Sequence, residues 1–268
     1  MLDFLDGKTN WYLICGIAGL AASVLVVLLL IRKRHVTKIQ FLYLYILAAL
    51  GLFIGGHLLF FLVGLPDFIR DEMPNIHSFS DFLTSFSYAA SGMVFYGGLL
   101  LVILFLYIYC KRVKLPVRRY MNIMVVTFPL FHFFGRIGCT LSGCCYGIEY
   151  HGHFALTYPA AIINEGVNDH LADFSRFPIQ PMEALLELIL FIVLLIIYVK
   201  KEDAVSITSI YLISYSVIRF ADEYLRGDVV RGIWGPFSTS QWISLAILIG
   251  TVIVLIVQKT RTPQQRLT

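Results

Sequence analysis

Long apolar runs separated by short charged gaps constrain this chain more than any other feature. Seven runs of membrane-spanning length stand out, at about 11–31, 39–64, 82–109, 121–142, 183–199, 205–225 and 237–257. With 58% of its 268 residues hydrophobic and 14% charged, the chain is too apolar for a soluble domain. The expected fold class is therefore an all-α integral membrane protein with seven transmembrane helices, forming a single polytopic membrane domain over residues 1–268. Met1-Leu2-Asp3-Phe4-Leu5-Asp6 lacks the basic segment and small-residue cleavage site of a secretory signal, so the first run is expected to remain as a span.

The gaps set the expected orientation. Arg32, Lys33, Arg34 and Lys38 follow the first run, and Lys111, Arg112, Lys114, Arg118 and Arg119 follow the third. Lys200 and Lys201 follow the fifth, and Lys259, Arg261 and Arg266 come last. The positive-inside rule makes these segments cytoplasmic, with the N-terminus outside and the C-terminus cytoplasmic. The alternate gaps carry Asp67, Asp71, Glu72 and Asp81, then Glu149, Glu165, Asp169 and Asp173. The longer of them, about 146–182, is rich in Gly, Pro, Asn and Tyr and is expected to be an extracytoplasmic loop. Trp11, Tyr12, Trp234 and Trp242 fall near span ends, as an interfacial aromatic belt does.

Within or beside the spans lie Arg136, Glu183, Glu187, Arg219, Asp222 and Glu223, all toward the predicted outer ends. Charge at membrane depth costs about 2.5–3.5 kcal/mol per residue on insertion scales, so such residues mark functional sites unless they serve only as packing ion pairs. Tyr215, Arg219, Asp222, Glu223 and Arg226 share one helical face. Glu183 and Glu187 stand one turn apart and repel unless a cation intervenes or one is protonated; Arg136 or Arg219 would supply that cation. Two arginines open to the outer leaflet suit a phosphate, because guanidinium pairs bidentately with phosphate oxygens and stays charged when desolvated. A phospholipid headgroup is the local source of one.

Arg136 sits in a segment unlike its surroundings, Gly135-Arg136-Ile137-Gly138-Cys139-Thr140-Leu141-Ser142-Gly143-Cys144-Cys145-Tyr146-Gly147. Its glycines permit close backbone approach to a ligand or a neighbouring helix. Its cysteines fit three readings: small core residues, a disulfide, or a zinc site completed by His132, His151 or His153. No metal ligand is assigned from spacing alone. A nucleophilic cysteine beside Arg136 is a further reading, and His57 and His132 fit satisfied core histidines.

These residues resemble a known family. Gly135-Arg136-Ile137-Gly138 with Gly143 and Gly147 is similar to the G-R-I-G-N-F-x-N-G-E-x-x-G signature of the bacterial prolipoprotein diacylglyceryl transferases. Phe95-Tyr96-Gly97-Gly98-Leu99 resembles that family's F-H-G-G-L. Arg176-Phe177-Pro178-Ile179-Gln180 with Glu183 resembles R-x-P-x-Q-x-x-E, and Tyr215 with Arg219-Phe220 and Glu223 resembles Y-x-x-x-R-F-x-x-E. Ser238 and Gln241 match a last S-x-x-Q block. The resemblance covers about 92–244.

It implies a seven-span enzyme of the bacterial cell membrane, with its site toward the outer leaflet. Such an enzyme moves the diacylglyceryl group of phosphatidylglycerol to a lipoprotein-precursor cysteine and releases glycerol phosphate. The residues expected to be catalytic are then Arg136, Arg219, Tyr96, Tyr215, Glu183 and Glu223. Those expected to bind substrate are Arg136, Gly138, Gly143, Arg176, Gln180, Arg219, Gly97 and Gly98. The expected partners are phosphatidylglycerol, a lipoprotein precursor or another acceptor, and the lipid bilayer, with no nucleic acid and no cofactor. The family's histidine falls at Tyr96, its asparagines at Cys139 and Ser142, and its glutamate at Cys144, so Glu183, Glu223 or Tyr215 is the expected base. The rival readings are a divergent paralog with another thiol or hydroxyl acceptor, a non-catalytic protein that binds or moves anionic lipid, and a cysteine-dependent acyltransferase.

Overall fold

A computed structural model describes residues 9–32, 36–158, 175–227 and 232–261. The described elements, in order, are α1 (Trp11–Ile31), α2 (Lys38–Asp67), α3 (Phe79–Ala89), α4 (Phe95–Arg112), α5 (Val117–Val126), α6 (Phe128–Ser142), α7 (Ile179–Lys201), α8 (Ile207–Asp222) and α9 (Thr239–Arg261). A short hairpin, β1 (Ile233–Trp234) paired antiparallel with β2 (Phe237–Ser238), precedes α9. Among the described residues, six helical stretches are long and apolar enough to cross a membrane: Trp11–Ile31, Lys38–Asn75, Phe95–Arg112, Val117–Ser142, Ile179–Ala204 and Thr239–Thr260. The chain is therefore an all-α, multi-pass membrane protein. The expected run at 205–225 forms α8, whose 16 residues continue into a 3-10 turn at Glu223–Leu225.

α1 shows how such helices are laid out. Its buried residues are Cys15, Gly19, Ser23, Val27 and Ile31, every fourth position, while Leu13, Ile17, Leu20, Leu25 and Leu28 are exposed. Along the helix as far as Ser23 the small residues Cys15, Gly19 and Ser23 face protein while large apolar ones face outward, as expected when the surrounding solvent is lipid.

The contacts fall into two units. The first comprises Met1–Arg34, Asn122–Arg231 and Ser244–Thr268, and the second His35–Met121 and Gly232–Ile243. In the first, α6 packs against both α1 and α7, and α7 against α8. A side chain at Gly19 would press on Phe134 Cβ at 2.9 Å, so glycine lets α1 lie close to α6. Asn122 accepts from the Ile207 amide at 2.9 Å and donates to the Val205 carbonyl at 2.9 Å, which clamps the turn leading into α8.

In the second unit α2 crosses α4 backbone to backbone. A Cβ at Gly55 would strike the Gly97 carbonyl, one at Gly97 the Gly55 carbonyl, and one at Gly51 the Val102 backbone at 2.9 Å. The expected run at 82–109 is here corrected to two helices. α3 stops at Ala89 and α4 begins at Phe95, because α2 satisfies an irregular link between them. Val94 N–H donates to the Gly56 carbonyl at 3.1 Å, and His57 Nδ1 donates to the Ala90 carbonyl at 2.8 Å. A side chain at Gly92 would run into the Phe60 ring. At eleven residues α3 is about 16 Å long, too short to span. Its start carries a Ser78–Asp81 capping box, whose hydrogen bond from Ser78 holds the Asp81 carboxyl below its ordinary range.

Two boundaries also shift. The expected run at 121–142 bends at Thr127, whose hydroxyl donates to the Met124 carbonyl at 2.8 Å just before Pro129. α7 begins at Ile179, so the last four residues of the expected outer loop are helical. Residues 159–174 of that loop lie outside the described residues, as do Lys33, Arg34, Glu165, Asp169, Asp173 and Arg266.

The glycine crossing gives a direct test. Gly97→Ala forces a methyl group into the Gly55 carbonyl and should cost about 1–3 kcal/mol, read as a lower thermal midpoint in detergent by size-exclusion chromatography. Gly64→Ala, also on α2 but with nothing within 4 Å, should not lower it. Equal midpoints for the two variants would mean that the crossing is not close-packed.

Candidate functional site

The charged residues of α6 and α7 meet as two rungs. His132 and Arg136 lie one turn apart on α6, and Glu183 and Glu187 one turn apart on α7. Arg136 is ion-paired with Glu183, and His132 Nδ1 lies 3.2 Å from Glu187 Oε1. The side chains are 7% and 5% exposed in the first rung and 13% and 1% in the second, which makes this a buried array. The repulsion expected between Glu183 and Glu187 is thus relieved by two partners, Arg136 for one and His132 for the other. His132 is satisfied, as expected of a core histidine, but its partner is a charged residue of the site.

α8 adds the third wall of polar groups. Arg219 Nη1 lies 2.6 Å from Glu223 Oε2 across one turn. Tyr215 presents its ring to His132 at 5.5 Å and 68° and stacks on Tyr211 at 5.7 Å, joining α8 to α6. Asp222 is buried in the field of Arg219, Arg136, Glu187 and His132. Tyr215, Arg219, Asp222 and Glu223 are all buried, as their spacing predicts, but Arg226, expected on the same helical face, lies past the helix in extended backbone bridged to Gly147.

The charge balance of this cluster decides what the arginines can do. Four buried carboxylates, Glu183, Glu187, Asp222 and Glu223, stand beside two guanidiniums, Arg136 and Arg219. Each arginine already holds a carboxylate. An incoming anion must share a guanidinium fork with Glu183 or Glu223, and that sharing is within the reach of a group with five donors.

Beyond Ser142 the chain turns sharply. Gly143 ends α6 with φ 71°, and Cys145 also lies in the left-handed region at φ 56°. The turn brings Cys139, Cys144 and Cys145 together, with all three sulfurs within 4.8 Å of one another and none oxidised. Arg136 Nη1 donates to Cys139 Sγ at 3.9 Å. Thiol hydrogen bonds from Cys139 and Cys144 pull the Cys145 thiol well below its ordinary pKa, whereas Cys144 is pushed up. Gln180, fully buried on the first turn of α7, donates Nε2 to the Cys144 carbonyl at 2.9 Å and to Tyr158 Oη at 3.0 Å. Gln180 therefore pins the cysteine turn.

The remaining expected site residues divide by unit. Arg176 pairs its backbone with Leu156 and lays its guanidinium 5.1 Å from the Tyr146 ring centroid, beside the cysteine turn. Gly138 lets α6 approach α1, where a side chain would meet Tyr12 Cα and Cys15 Cβ at 3.2 Å. Tyr96, Gly97 and Gly98 belong to the second unit, where Tyr96 is buried and both glycines pack against α2. Ser238 and Gln241 form a reciprocal cap at the start of α9, with Ser238 N–H to Gln241 Oε1 at 3.0 Å and Gln241 N–H to Ser238 Oγ at 3.2 Å. Tyr158 escaped the sequence reading because loop residues have no period to mark them. His132 reads from the sequence as a core histidine; its spacing of four from Arg136 is the signal that marks it as a member of the array.

The model of the prolipoprotein diacylglyceryl transferase family matches residues 2–257. A Clostridium tetani protein named phosphatidylglycerol--prolipoprotein diacylglyceryl transferase is 29% identical over 243 residues, 91% of this chain and 90% of the relative. One from Clostridium perfringens, carrying the same name with the number 2, is 31% identical over 81% of this chain and 78% of its own length. One from Stenotrophomonas maltophilia is 30% identical over 96% and 90%.

The buried rung is testable by stability alone. Arg136→Ala strands Glu183 and should cost about 3–5 kcal/mol in detergent unfolding. Adding Glu183→Ala to it should recover part of that loss. A double variant as unstable as the sum of the two singles would mean that the pair is not coupled.

Proposed function

The chain belongs to the prolipoprotein diacylglyceryl transferase family, and on that footing we propose that it transfers the diacylglyceryl group of phosphatidylglycerol to the thiol of a lipoprotein-precursor cysteine, releasing glycerol phosphate. The observation that carries the reading is the buried array of Arg136, Glu183, Arg219 and Glu223 in the first unit.

The reaction is a displacement at carbon. The acceptor sulfur forms a C–S bond to the diacylglyceryl carbon, the C–O bond to phosphate breaks, and the phosphate oxygen keeps the electron pair. Arg136 and Arg219 take the phosphate and neutralise the charge that grows on its leaving oxygen. Glu183 and Glu223 hold the two guanidiniums in place before donor arrives, and one of them takes the thiol proton as the forks turn toward phosphate. Tyr215, fixed between His132 and Tyr211, binds the reacting groups through its hydroxyl. Gln180 and Arg176 order the segment over Arg136, and Gly143 turns the chain there.

The topology proposed with it has seven spans. α8 with its 3-10 extension measures about 30 Å, the thickness of a hydrocarbon core. Arg32 and Lys38, Lys111 to Arg119, Lys200 with Lys201, and Lys259 then all fall on the cytoplasmic side, with the N-terminus outside. The same assignment puts Arg136, Glu183 and Arg219 in the outer half of the bacterial cell membrane. Cys139, Ser142 and Cys144, where the family pattern has amides and a carboxylate, favour one second reading: a paralog that uses the same donor with another thiol or hydroxyl acceptor.

Purified protein given labelled phosphatidylglycerol and a lipobox peptide should yield lipidated peptide and glycerol phosphate. Arg136→Ala and Arg219→Ala should each cut the rate about 10²–10³-fold, the loss typical of one donor to a developing anion. Donor cleavage without peptide modification would overturn the prolipoprotein acceptor in favour of another. Retained donor binding with no cleavage would leave a lipid-binding protein.

A further inference from the structure

The chemistry above makes no use of the cysteine turn, yet that turn is a built feature. It needs Cys145, which has a side chain, held at φ 56°, a conformation costing about 1–3 kcal/mol that persists only where the surroundings impose it. Gln180 of α7 fixes the Cys144 carbonyl, and the Arg136 guanidinium reaches Cys139 Sγ. Cys144 and Cys145 are half-buried beside charged groups, an environment unlike that of a core cysteine. Disulfide pairing would use two of the three thiols and leave the third over. One ion uses all of them.

We propose that Cys139, Cys144 and Cys145 form a three-thiolate site for one zinc ion, with a fourth position left open beside Arg136. Sulfurs bound to zinc at about 2.3 Å in tetrahedral array lie about 3.8 Å apart, so the observed separations, all within 4.8 Å, close onto an ion by movements of about 1 Å or less. Thiolates select soft ions and reject the oxygen-seeking calcium and magnesium. Three thiolates on a divalent ion leave one negative charge, which Arg136 at Cys139 and Arg226 near Cys145 offset. Three protein ligands rather than four is the arrangement that leaves zinc a place for an exogenous ligand.

The site's use rests on the proposed transfer. A free cysteine thiol has a pKa near 8.5 and a free carboxylate near 4.3, so a carboxylate by itself is a weak base toward a thiol. A thiol that coordinates a metal loses its proton outright. At the open position the acceptor's S–H proton passes to Glu183, the sulfur is held as thiolate next to Arg136, and the C–S bond then forms as C–O breaks. The metal neither gains nor loses electrons.

The test uses the full chain, purified reduced in detergent and stripped with a chelator. Cobalt(II) should bind one per chain with sulfur-to-cobalt charge-transfer bands, and zinc should displace it. Cys144→Ser should abolish the bands and Cys110→Ser should keep them. In the native chain, bound zinc should shield Cys139, Cys144 and Cys145 from alkylation, read by peptide mass, which needs no variant to fold. Absent bands, bands unchanged in Cys144→Ser, or equal alkylation with and without zinc would overturn the site. The transfer assay separates its use from the underlying reading: activity lost on stripping and restored by zinc supports thiol activation, and activity indifferent to stripping overturns it. No activity in either state, with cobalt still bound, overturns the transferase reading and leaves the site standing.

Discussion

A charge surrounded by hydrocarbon must find a partner, and the first unit pairs both of its buried arginines with carboxylates. Arg136 and His132 on α6 face Glu183 and Glu187 on α7, and Arg219 holds Glu223 at the end of α8. Between lipid-facing helices the hydrophobic effect supplies little attraction, so these pairs and the close contact of small residues hold the helices in register. An unpaired member would be worse than an apolar substitute, which is why the rungs are complete. The same requirement creates the site, because a guanidinium that already holds a carboxylate keeps further N–H donors to share with a phosphate.

Glycine makes the second contribution. At the α2–α4 crossing Gly55 and Gly97 bring backbone against backbone, and at Gly138 α6 lies on α1. At Gly143 the requirement is conformational: the left-handed residue ends α6 and turns the chain so that Cys144 and Cys145 fall back on Cys139. One segment therefore carries an arginine that belongs to the helix array and cysteines that belong to the turn above it.

Much of this was legible in the sequence, for definable reasons. Apolar runs report spans because lipid demands them, and the inward face of Tyr215, Arg219, Asp222 and Glu223 follows from helical period. The break between α3 and α4 escaped hydropathy because both helices are apolar and the link is satisfied by Gly56 and His57 of another helix. The shortness of α8 escaped it because polar residues at its outer end belong to the site rather than to a loop. Tyr158 escaped because its role is set by Gln180, distant in the chain.

By itself the sequence determined the class of the protein, the approximate positions of most long apolar helices and the family, because hydropathy and short motifs are local properties. The tertiary structure alone decided which carboxylate serves which cation, that His132 rather than an arginine answers Glu187, and that three cysteines on either side of a helix end share one point in space. Those outcomes depend on the contact of α6 with α7 and on two left-handed residues, and pairing of that kind is fixed only when separate helices meet.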